Sequence, residues 1–185
     1  GSDGKTTTTT LISEMLKAAG KTVWLGGNIG TPLLDKAGEM QPEDAVVLEL
    51  SSFQLMTMKR SPGIAVVTNI SPNHLDVHKD MAEYVWAKQN IYRFQREEDL
   101  LIINADNDLT KNLSSPGVTH SFSRIGEGYI SLENGVIRRN GEEVLPVADI
   151  LLPGVHNIEN YMAAIAAVEG LVSDENVRKV AKTFG

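Results

Sequence analysis

The chain has 185 residues, of which 42% are hydrophobic and 16 are glycine, a composition that suits one globular domain and excludes disorder and collagen-like repeats. Its 17 Lys and Arg against 24 Asp and Glu give a net charge of −7, which argues against a nucleic acid or an anionic membrane as a partner recognised through bulk charge. The absence of cysteine excludes disulfides and thiolate chemistry, and no apolar run approaches the ~18 residues that span a bilayer, so we expect a soluble, cytoplasmic protein.

A glycine-bearing loop opens the chain and leads into a predicted helix. Apolar residues then recur at the spacing of one helix face, at Leu11, Ile12, Met15, Leu16 and Ala19. Gly20 suits the end of this helix. A loop of this kind normally follows a buried strand, so we expect the chain to be a piece of a larger protein that supplies one.

Next come a short β-type run at residues 22–25 and a second glycine-rich loop. Thr31 followed by Pro32 predicts that another helix begins there. Three nearly continuous apolar runs are typical of parallel strands buried on both faces, and they cover residues 45–50, 64–69 and 99–104.

Between the last two runs, Asp80 and Glu83 predict a capping box in front of a helix whose periodic positions reach Tyr92. Strands and helices therefore alternate over roughly the first 115 residues. This order predicts an α/β fold with a doubly wound, mostly parallel sheet and right-handed crossovers.

The pattern changes in the last third of the chain. Asn134-Gly135 and Asn140-Gly141 suit type I′ hairpins between short strands at residues 129–132, 136–139 and 142–145, which predicts an antiparallel β-meander attached to the main sheet. Two helices should follow, one over residues 157–171 and a last one capped by Ser173 and reaching about Lys182.

The first candidate site is the motif Gly1-x-x-Gly4-Lys5-Thr6. Glycines let backbone N–H groups approach phosphate oxygens, a helix N-terminus favours anions, lysine neutralises phosphates and a threonine hydroxyl can ligate magnesium. An ordinary helix start after a stray Gly-Ser is the alternative. The threonine run 6–10 is a poor helix former, which fits a polar, ligand-facing helix end better than a core one, and a merely tolerated run is the alternative.

Glu49 is the second candidate, because it lies near the carboxyl end of a predicted parallel strand, where open α/β sheets bind their ligands. With the glycine loop, this position favours a magnesium-binding role. The alternative is an edge strand with Glu49 in solvent.

A proline turn after residues 64–69 delivers His74, Asp76 and His78 to the same predicted edge. His74 is the better site candidate and His78 suits a solvated loop. Lys88 shares the apolar stripe of its helix, so it either snorkels along the rim of the core or enters the site as a neutral amine or a carbamate.

Six segments together resemble the central, ATP-binding domain of the Mur ligase family over essentially all 185 residues. Segments 26–32 and 49–55 point to its D-glutamate-adding branch. The segments are Gly1–Thr7, Gly26–Pro32, Glu49–Leu55, Asn73–Asp76, Lys88 and His156–Asn160.

The resemblance implies a role for each matching residue. Nucleotide-binding residues would be Gly1, Ser2, Asp3, Gly4, Lys5, Thr6, Thr7, Asn157 and Asn160. One Mg²⁺ would be held by Thr6 and Glu49, and a second by His74 and a carbamylated Lys88. The residues facing the uridine-linked substrate would be Asn28, Ser51, Gln54 and Tyr84. Lys5, Glu49, His74 and Lys88 would form the catalytic set. Asp3 and Asn73 depart from the family pattern, which usually has asparagine and an acid at these places.

The resemblance also implies an ADP-forming amide ligase that joins D-glutamate to UDP-N-acetylmuramoyl-L-alanine through an acyl phosphate. Such an enzyme is a monomer with flanking uridine-binding and carboxyl-terminal domains, so the isolated chain is expected to have little or no turnover. Two alternatives stay open, a ligase of the folylpolyglutamate synthase type and a non-catalytic nucleotide-binding module.

Overall fold

The computed structural model describes residues 4–30, 32–71 and 80–185. The helices are α1 (Lys5–Ala18), α2 (Ser52–Leu55), α3 (Met81–Gln89), α4 (Val155–Ala167) and α5 (Asp174–Ala181). The strands are β1 (Val23–Gly27), β2 (Ala45–Glu49), β3 (Ile64–Val67), β4 (Leu100–Asn104), β5 (Val118–Ser123), β6 (Ile130–Glu133), β7 (Val136–Arg139) and β8 (Glu142–Pro146).

Most strand pairs are parallel, which confirms the predicted fold class. β1 pairs with β2, and a second sheet has the order β3-β4-β5-β6-β7-β8. The pairs from β3 to β6 are parallel, and β6, β7 and β8 form the antiparallel meander. Within the described residues, β2 and β3 are not paired with each other.

Helices cover both faces of the longer sheet, and β4 shows why. Its residues are almost all apolar, so both faces of the strand need a covering layer. Ile102 packs in the cluster that contains α1, α4 and α5, whereas Leu101 and Ile103 pack with Tyr84 of α3. The sheet is therefore the middle of three layers.

Local signals set several boundaries as predicted. Asn134 and Gly135 have φ of 50° and 76°, the two positive values that a type I′ turn needs, and Asn140-Gly141 repeats them. The Ser173 side chain accepts a hydrogen bond from the Asn176 backbone N–H at the start of α5. Asp80 caps α3 in the same way through Glu83 N–H.

One predicted element differs in the structure, and one strand was not predicted. The segment after Pro32 forms a 3₁₀ helix, Leu34–Glu39, with no buried residue, so no apolar stripe favours the longer α-helix. β5 was missed because its sequence, VTHSFS, is largely polar and only its last two residues are buried. No helix in the described part of the chain has the length and apolar character needed to cross a membrane.

Candidate functional site at the carboxyl edge of the sheet

The loop before α1 depends on glycine at position 4. Gly4 is the N-cap of α1 and has φ of 79°, a left-handed conformation that costs other residues free energy. A Cβ atom at this position would also overlap the Asn160 side-chain oxygen. Among the described residues, Gly4 has no side chain that could cap the helix, and a helix N-terminus favours anions. Gly1, Ser2 and Asp3 lie outside the described residues.

Glu49 ends β2 directly opposite the first turn of α1. Thr6 donates a hydrogen bond from Oγ1 to Glu49 Oε2 over 2.7 Å, and Asn28 Nδ2 donates to Oε1 over 3.1 Å. The glutamate is only 4% exposed, so the alternative of a solvent-facing edge carboxylate is wrong. The structure thus brings together Thr6, Asn28 and Glu49.

A second glycine allows this contact. Gly27 has φ of 96°, and a Cβ atom there would overlap the Glu49 carbonyl oxygen. The close approach lets Asn28 donate its backbone N–H to that same carbonyl over 2.7 Å. Asn28, which the resemblance predicts to face the substrate, directly follows β1 and is exposed. Its side-chain amide donates to the Glu49 carboxylate.

The threonine run is partly buried, and its hydroxyls donate hydrogen bonds within the protein. Thr8 and Thr9 are 3% and 7% exposed, and both line the cavity that Lys5, Glu49 and Lys88 also line. Thr8 donates to Asn160 Oδ1, and Thr9 and Thr10 donate back to the carbonyls one turn earlier. Thr6 alone of these hydroxyls reaches Glu49, and Thr7 is partly buried.

Two buried asparagines of α4 link this helix to the start of α1, and the Asn160 side chain lies against Gly4. Asn160 Nδ2 donates to Asn157 Oδ1, and Asn157 Nδ2 donates to the Pro153 carbonyl. Together with the bond from Thr8, this chain joins the first turn of α4 to α1. Asn157 is 7% exposed and Asn160 is 5% exposed. Their predicted role in binding the nucleotide stays a prediction.

Lys88 lies on α3 and does not snorkel to the solvent, since only 5% of the residue is exposed. Its Nζ is 4.9 Å from the centroid of the Tyr84 ring. Burial lowers the pKa of Lys88, and the positive charge of Lys5 lowers that pKa further. Lys5, Glu49 and Lys88 line one cavity of about 550 Å³, so three of the four predicted catalytic residues meet there. His74, Asp76 and His78 lie outside the described residues.

The other residues expected at the substrate lie around this edge. Ser51 and Gln54 cap α2 reciprocally, because Ser51 Oγ accepts from Gln54 N–H while Gln54 Oε1 accepts from Ser51 N–H. The Ser-x-x-Gln spacing is a capping-box signature that the sequence reading overlooked. Tyr84 is 1% exposed in the core beneath Lys88, and burial raises its pKa.

Sequence reading also missed a polar cluster at the ends of β4 and β5. The Asp106 carboxylate accepts hydrogen bonds from Ser123 Oγ and from Arg124 N–H, and Arg124 Nε donates to Glu159 of α4. The available signal was position, because these residues lie at or just after the carboxyl ends of β4 and β5, two parallel neighbours in the longer sheet.

A mostly parallel sheet, a left-handed glycine before α1 and a Thr6 hydroxyl bonded to a strand-end carboxylate define an α/β protein of the P-loop type. The family model of the Mur ligase middle domain matches residues 1–168. The chain belongs to this family.

Named relatives cover the whole chain. It is 55% identical to UDP-N-acetylmuramoylalanine–D-glutamate ligase of Acetivibrio thermocellus and 52% identical to the protein of that name from Clostridium perfringens. The chain spans 41% of the length of each of these two relatives.

Solved structures share the fold at lower identity. The chain matches UDP-N-acetylmuramate:L-alanyl-gamma-D-glutamyl-meso-diaminopimelate ligase from Neisseria meningitides with a TM-score of 0.75 and 20% identity, covering 100% of this chain and 64% of that one. The chain also matches the MurF ligase from Thermotoga maritima, which was solved in complex with ADP, with a TM-score of 0.72 and 21% identity. That match covers 96% of this chain and 46% of the MurF chain.

Proposed function

We propose that this chain is the nucleotide-binding part of an ATP-dependent, ADP-forming ligase of peptidoglycan precursor synthesis, which joins D-glutamate to UDP-N-acetylmuramoyl-L-alanine. Identities of 55% and 52% to relatives of that name support the proposal. Those relatives are more than twice as long as this chain, so the uridine and D-glutamate sites are assigned to flanking domains. The isolated chain is then expected to have little or no turnover.

The observation that carries the proposal is the 2.7 Å contact between Thr6 Oγ1 and Glu49 Oε2. Mg²⁺ takes oxygen ligands at about 2.1 Å in octahedral geometry, which places neighbouring ligands roughly 3 Å apart. The two oxygens therefore fit adjacent positions on one ion. When bound, Mg²⁺ would neutralise charge on the phosphates of ATP.

The reaction needs charge neutralisation because both partners are anions. The terminal carboxylate of the substrate attacks the γ-phosphorus of ATP, ADP leaves, and the amine of D-glutamate then attacks the acyl phosphate carbon, releasing phosphate and a proton. Lys5 offsets phosphate charge at the mouth of the cavity, and the first N–H groups of α1 orient the phosphate oxygens. Glu49 accepts the hydrogen bond from Thr6 and so keeps the Thr6 hydroxyl oriented toward the Mg²⁺ position.

The second metal site is a further part of the proposal. Lys88 is buried near another cation, which favours the neutral amine that reacts with CO₂ to give a carbamate and a proton. His74 and this carbamate would then hold a second Mg²⁺. Intact-protein mass spectrometry under bicarbonate checks the modification, and a Lys88→Arg variant, which cannot form it, is the control.

The remaining assignments follow the same family pattern. Asn28, Ser51, Gln54 and Tyr84 would define the side of the cavity toward the uridine-linked substrate. Gly1, Ser2, Asp3 and Thr7 would surround the phosphates, with Asn157 and Asn160 near the nucleotide. Asp3 adds negative charge to this loop, so Asp3→Asn is expected to tighten nucleotide binding.

A chimeric ligase tests the function directly. This chain replaces the matching middle segment of the Acetivibrio thermocellus relative, and phosphate release is assayed with D-glutamate, L-glutamate and a folate acceptor. We expect turnover with UDP-N-acetylmuramoyl-L-alanine and D-glutamate alone. Turnover with the folate acceptor would indicate a ligase of the other type.

Nucleotide titration of the unmodified chain is the second measurement, and it does not depend on the chimera. Magnesium-dependent ATP binding that Glu49→Gln weakens at least tenfold is expected, with the exposed Glu133→Gln as the matched control. Nucleotide binding without turnover in a well-folded chimera would favour a non-catalytic module.

A further inference from the structure

The amino-terminal end of α4 carries Asn160, and this side chain lies directly against the glycine loop. Its oxygen is so close to Gly4 that a Cβ atom at that position would overlap it. The same oxygen accepts a hydrogen bond from Thr8 Oγ1 over 3.2 Å. Close-packed groups transmit displacement, so a shift of this end of α4 also shifts Gly4 and the first turn of α1.

The first turn of α4 has little of its own to hold it. Its N-cap is Gly154, which offers no capping side chain. Gly154, Val155 and His156 are all exposed. Exposed helix ends without a cap open locally more readily than helix interiors. The position of Asn160 therefore depends on the contacts that the next turn makes with the rest of the protein.

Glu159, the neighbour of Asn160, makes such a contact. Arg124 Nε donates to Glu159 Oε1 over 2.9 Å. Successive residues of a helix diverge by about 100° around its axis. Glu159 therefore reaches toward the end of β5 while Asn160 reaches toward α1, and the ion pair holds α4 from a second side.

Arg124 is itself fixed to the sheet. Its backbone N–H donates to Asp106 Oδ2 over 2.7 Å, and Ser123 Oγ donates to the other oxygen of that carboxylate. Asp106 and Ser123 lie at the carboxyl ends of β4 and β5, where Asn104 pairs with Phe122 in the parallel ladder. The guanidinium thus projects from a strand end, the kind of rigid support that keeps a site in place.

We propose that Arg124 and Glu159 are positioning residues for nucleotide binding. Their ion pair holds α4 so that Asn160 keeps Gly4 and the first turn of α1 in place for the phosphates. The inference rests on the proposed nucleotide-binding role of the glycine loop. The two side chains are 33% and 29% exposed, and ion pairs of this kind contribute little to global stability. Loss of the pair therefore acts mainly on the geometry of the loop.

Titration with Mg²⁺-ATP tests the effect on binding. Arg124→Met keeps the aliphatic stem and removes the donor, and we expect it to weaken ATP binding about fivefold. Glu159→Gln keeps an oxygen acceptor for Arg124 Nε and should retain most of the affinity. Arg139→Met is the matched control, because it removes a 2.9 Å ion pair with Asp174 in another part of the chain. It should lower the urea midpoint at least as much as Arg124→Met and leave ATP affinity unchanged.

A double-mutant cycle tests whether the ion pair acts through Asn160. When Asn160→Ala is already present, Arg124→Met should weaken ATP binding by less than about twofold further, because the group that transmits the shift is gone. If the two losses are fully additive, the pair does not act through Asn160 and the proposal is wrong. An equal loss of ATP affinity in Arg139→Met would also overturn it.

Amide hydrogen exchange of the nucleotide-free chain separates this proposal from the proposed function. The Thr8 backbone N–H donates to the Gly4 carbonyl over 2.8 Å. Its exchange should be about fivefold faster in Arg124→Met and unchanged in Arg139→Met. Faster Thr8 exchange together with no ATP binding by the unmodified chain would support the positioning role and reject the proposed function. Unchanged Thr8 exchange in Arg124→Met would reject the positioning role itself.

Discussion

Strands at the two ends of the molecule bury their apolar residues to different extents. Ile137 of β7 and Leu145 of β8 are fully buried against the helices, whereas Val46 and Leu48 of β2 expose nearly half of their surface. The difference separates a packed scaffold, residues 118–185, from a more open part made of the first turn of α1, β1, β2 and α2, which carries Glu49. A site built beside loosely packed strands therefore depends on the rigid elements and hydrogen bonds that hold its residues.

Helix α1 joins the two parts. Leu11 and Met15 are fully buried in the same cluster as Tyr161 and Ile165 of α4. Its first turn, in contrast, places Lys5 at the cavity and the Thr6 hydroxyl against Glu49. The position of the site therefore depends on the packing of α1 two turns away, while its chemistry depends on side chains that contribute little to that packing.

From this comparison we expect that removing a charge in the open part abolishes turnover and leaves the free energy of unfolding nearly unchanged. Lys5→Ala in the chimeric ligase should lower turnover about a thousandfold, roughly 4 kcal/mol of transition-state stabilisation, because the phosphates lose a fixed cation. Its free energy of unfolding should change by less than about 0.5 kcal/mol. Steady-state kinetics and urea unfolding measure the two effects, with the exposed Lys17→Ala as control. A Lys5→Ala enzyme with normal turnover would remove Lys5 from the phosphate site.

Truncation of matched leucines should show the reverse. Leu145→Ala leaves a cavity in a fully buried place and should cost about 3 kcal/mol of unfolding free energy. Leu48→Ala, at a residue 47% exposed, should cost less than about 1 kcal/mol. Urea unfolding of both variants measures the difference. Equal losses would mean that β2 is packed as tightly as β8 in solution.

The same division explains which features the sequence predicted. The Asn-Gly hairpins, the Ser173 cap and the strand at residues 45–50 depend on a few neighbouring residues, and their signals are local. The meeting of Thr6 with Glu49 was also within reach, since helix N-termini and parallel strand ends share one sheet edge.

Contacts between distant segments were not predictable in this way. The bond from Thr8 to Asn160 joins residues 152 positions apart, and nothing near either residue indicates the other. β5 lacks the apolar pattern of a buried strand because its burial is confined to its last residues, Phe122 and Ser123. The 3₁₀ helix at Leu34–Glu39 likewise reflects missing tertiary contacts, although Thr31-Pro32 is a good local start signal.

The scaffold also predicts a pH dependence. Burial raises the pKa of Tyr161 to about 12, and its hydroxyl has no hydrogen-bond partner among the described residues. Between about pH 10 and 12 the unfolded chain loses this proton while the folded chain keeps it, so stability falls as pH rises, by about 2 to 3 kcal/mol at pH 12.

Tyr161→Phe should remove this fall in the free energy of unfolding at high pH. At pH 7 its free energy of unfolding should be unchanged or slightly higher, because no hydrogen bond is broken. Urea unfolding from pH 7 to 11.5 measures the unmodified chain and Tyr161→Phe, and Tyr129→Phe is the contrasting variant that should lose stability at pH 7, since the Tyr129 hydroxyl donates to Glu169. Parallel pH profiles for Tyr161→Phe and the unmodified chain would show that the phenol is not buried in solution.

The smallest expected effects come from two helix caps, one in the scaffold and one in the open part. Ser173 caps α5, which packs into the scaffold through Val177 and Ala181, so Ser173→Ala should lower the free energy of unfolding by about 1 kcal/mol. Ser51 caps the single turn α2 in the open part, where loss of the cap can be met by local opening. Ser51→Ala should therefore leave global stability within about 0.3 kcal/mol and instead speed hydrogen exchange at the Gln54 amide. If Ser51→Ala costs as much as Ser173→Ala, α2 unfolds together with the scaffold, and the open part is not a separate unit of stability.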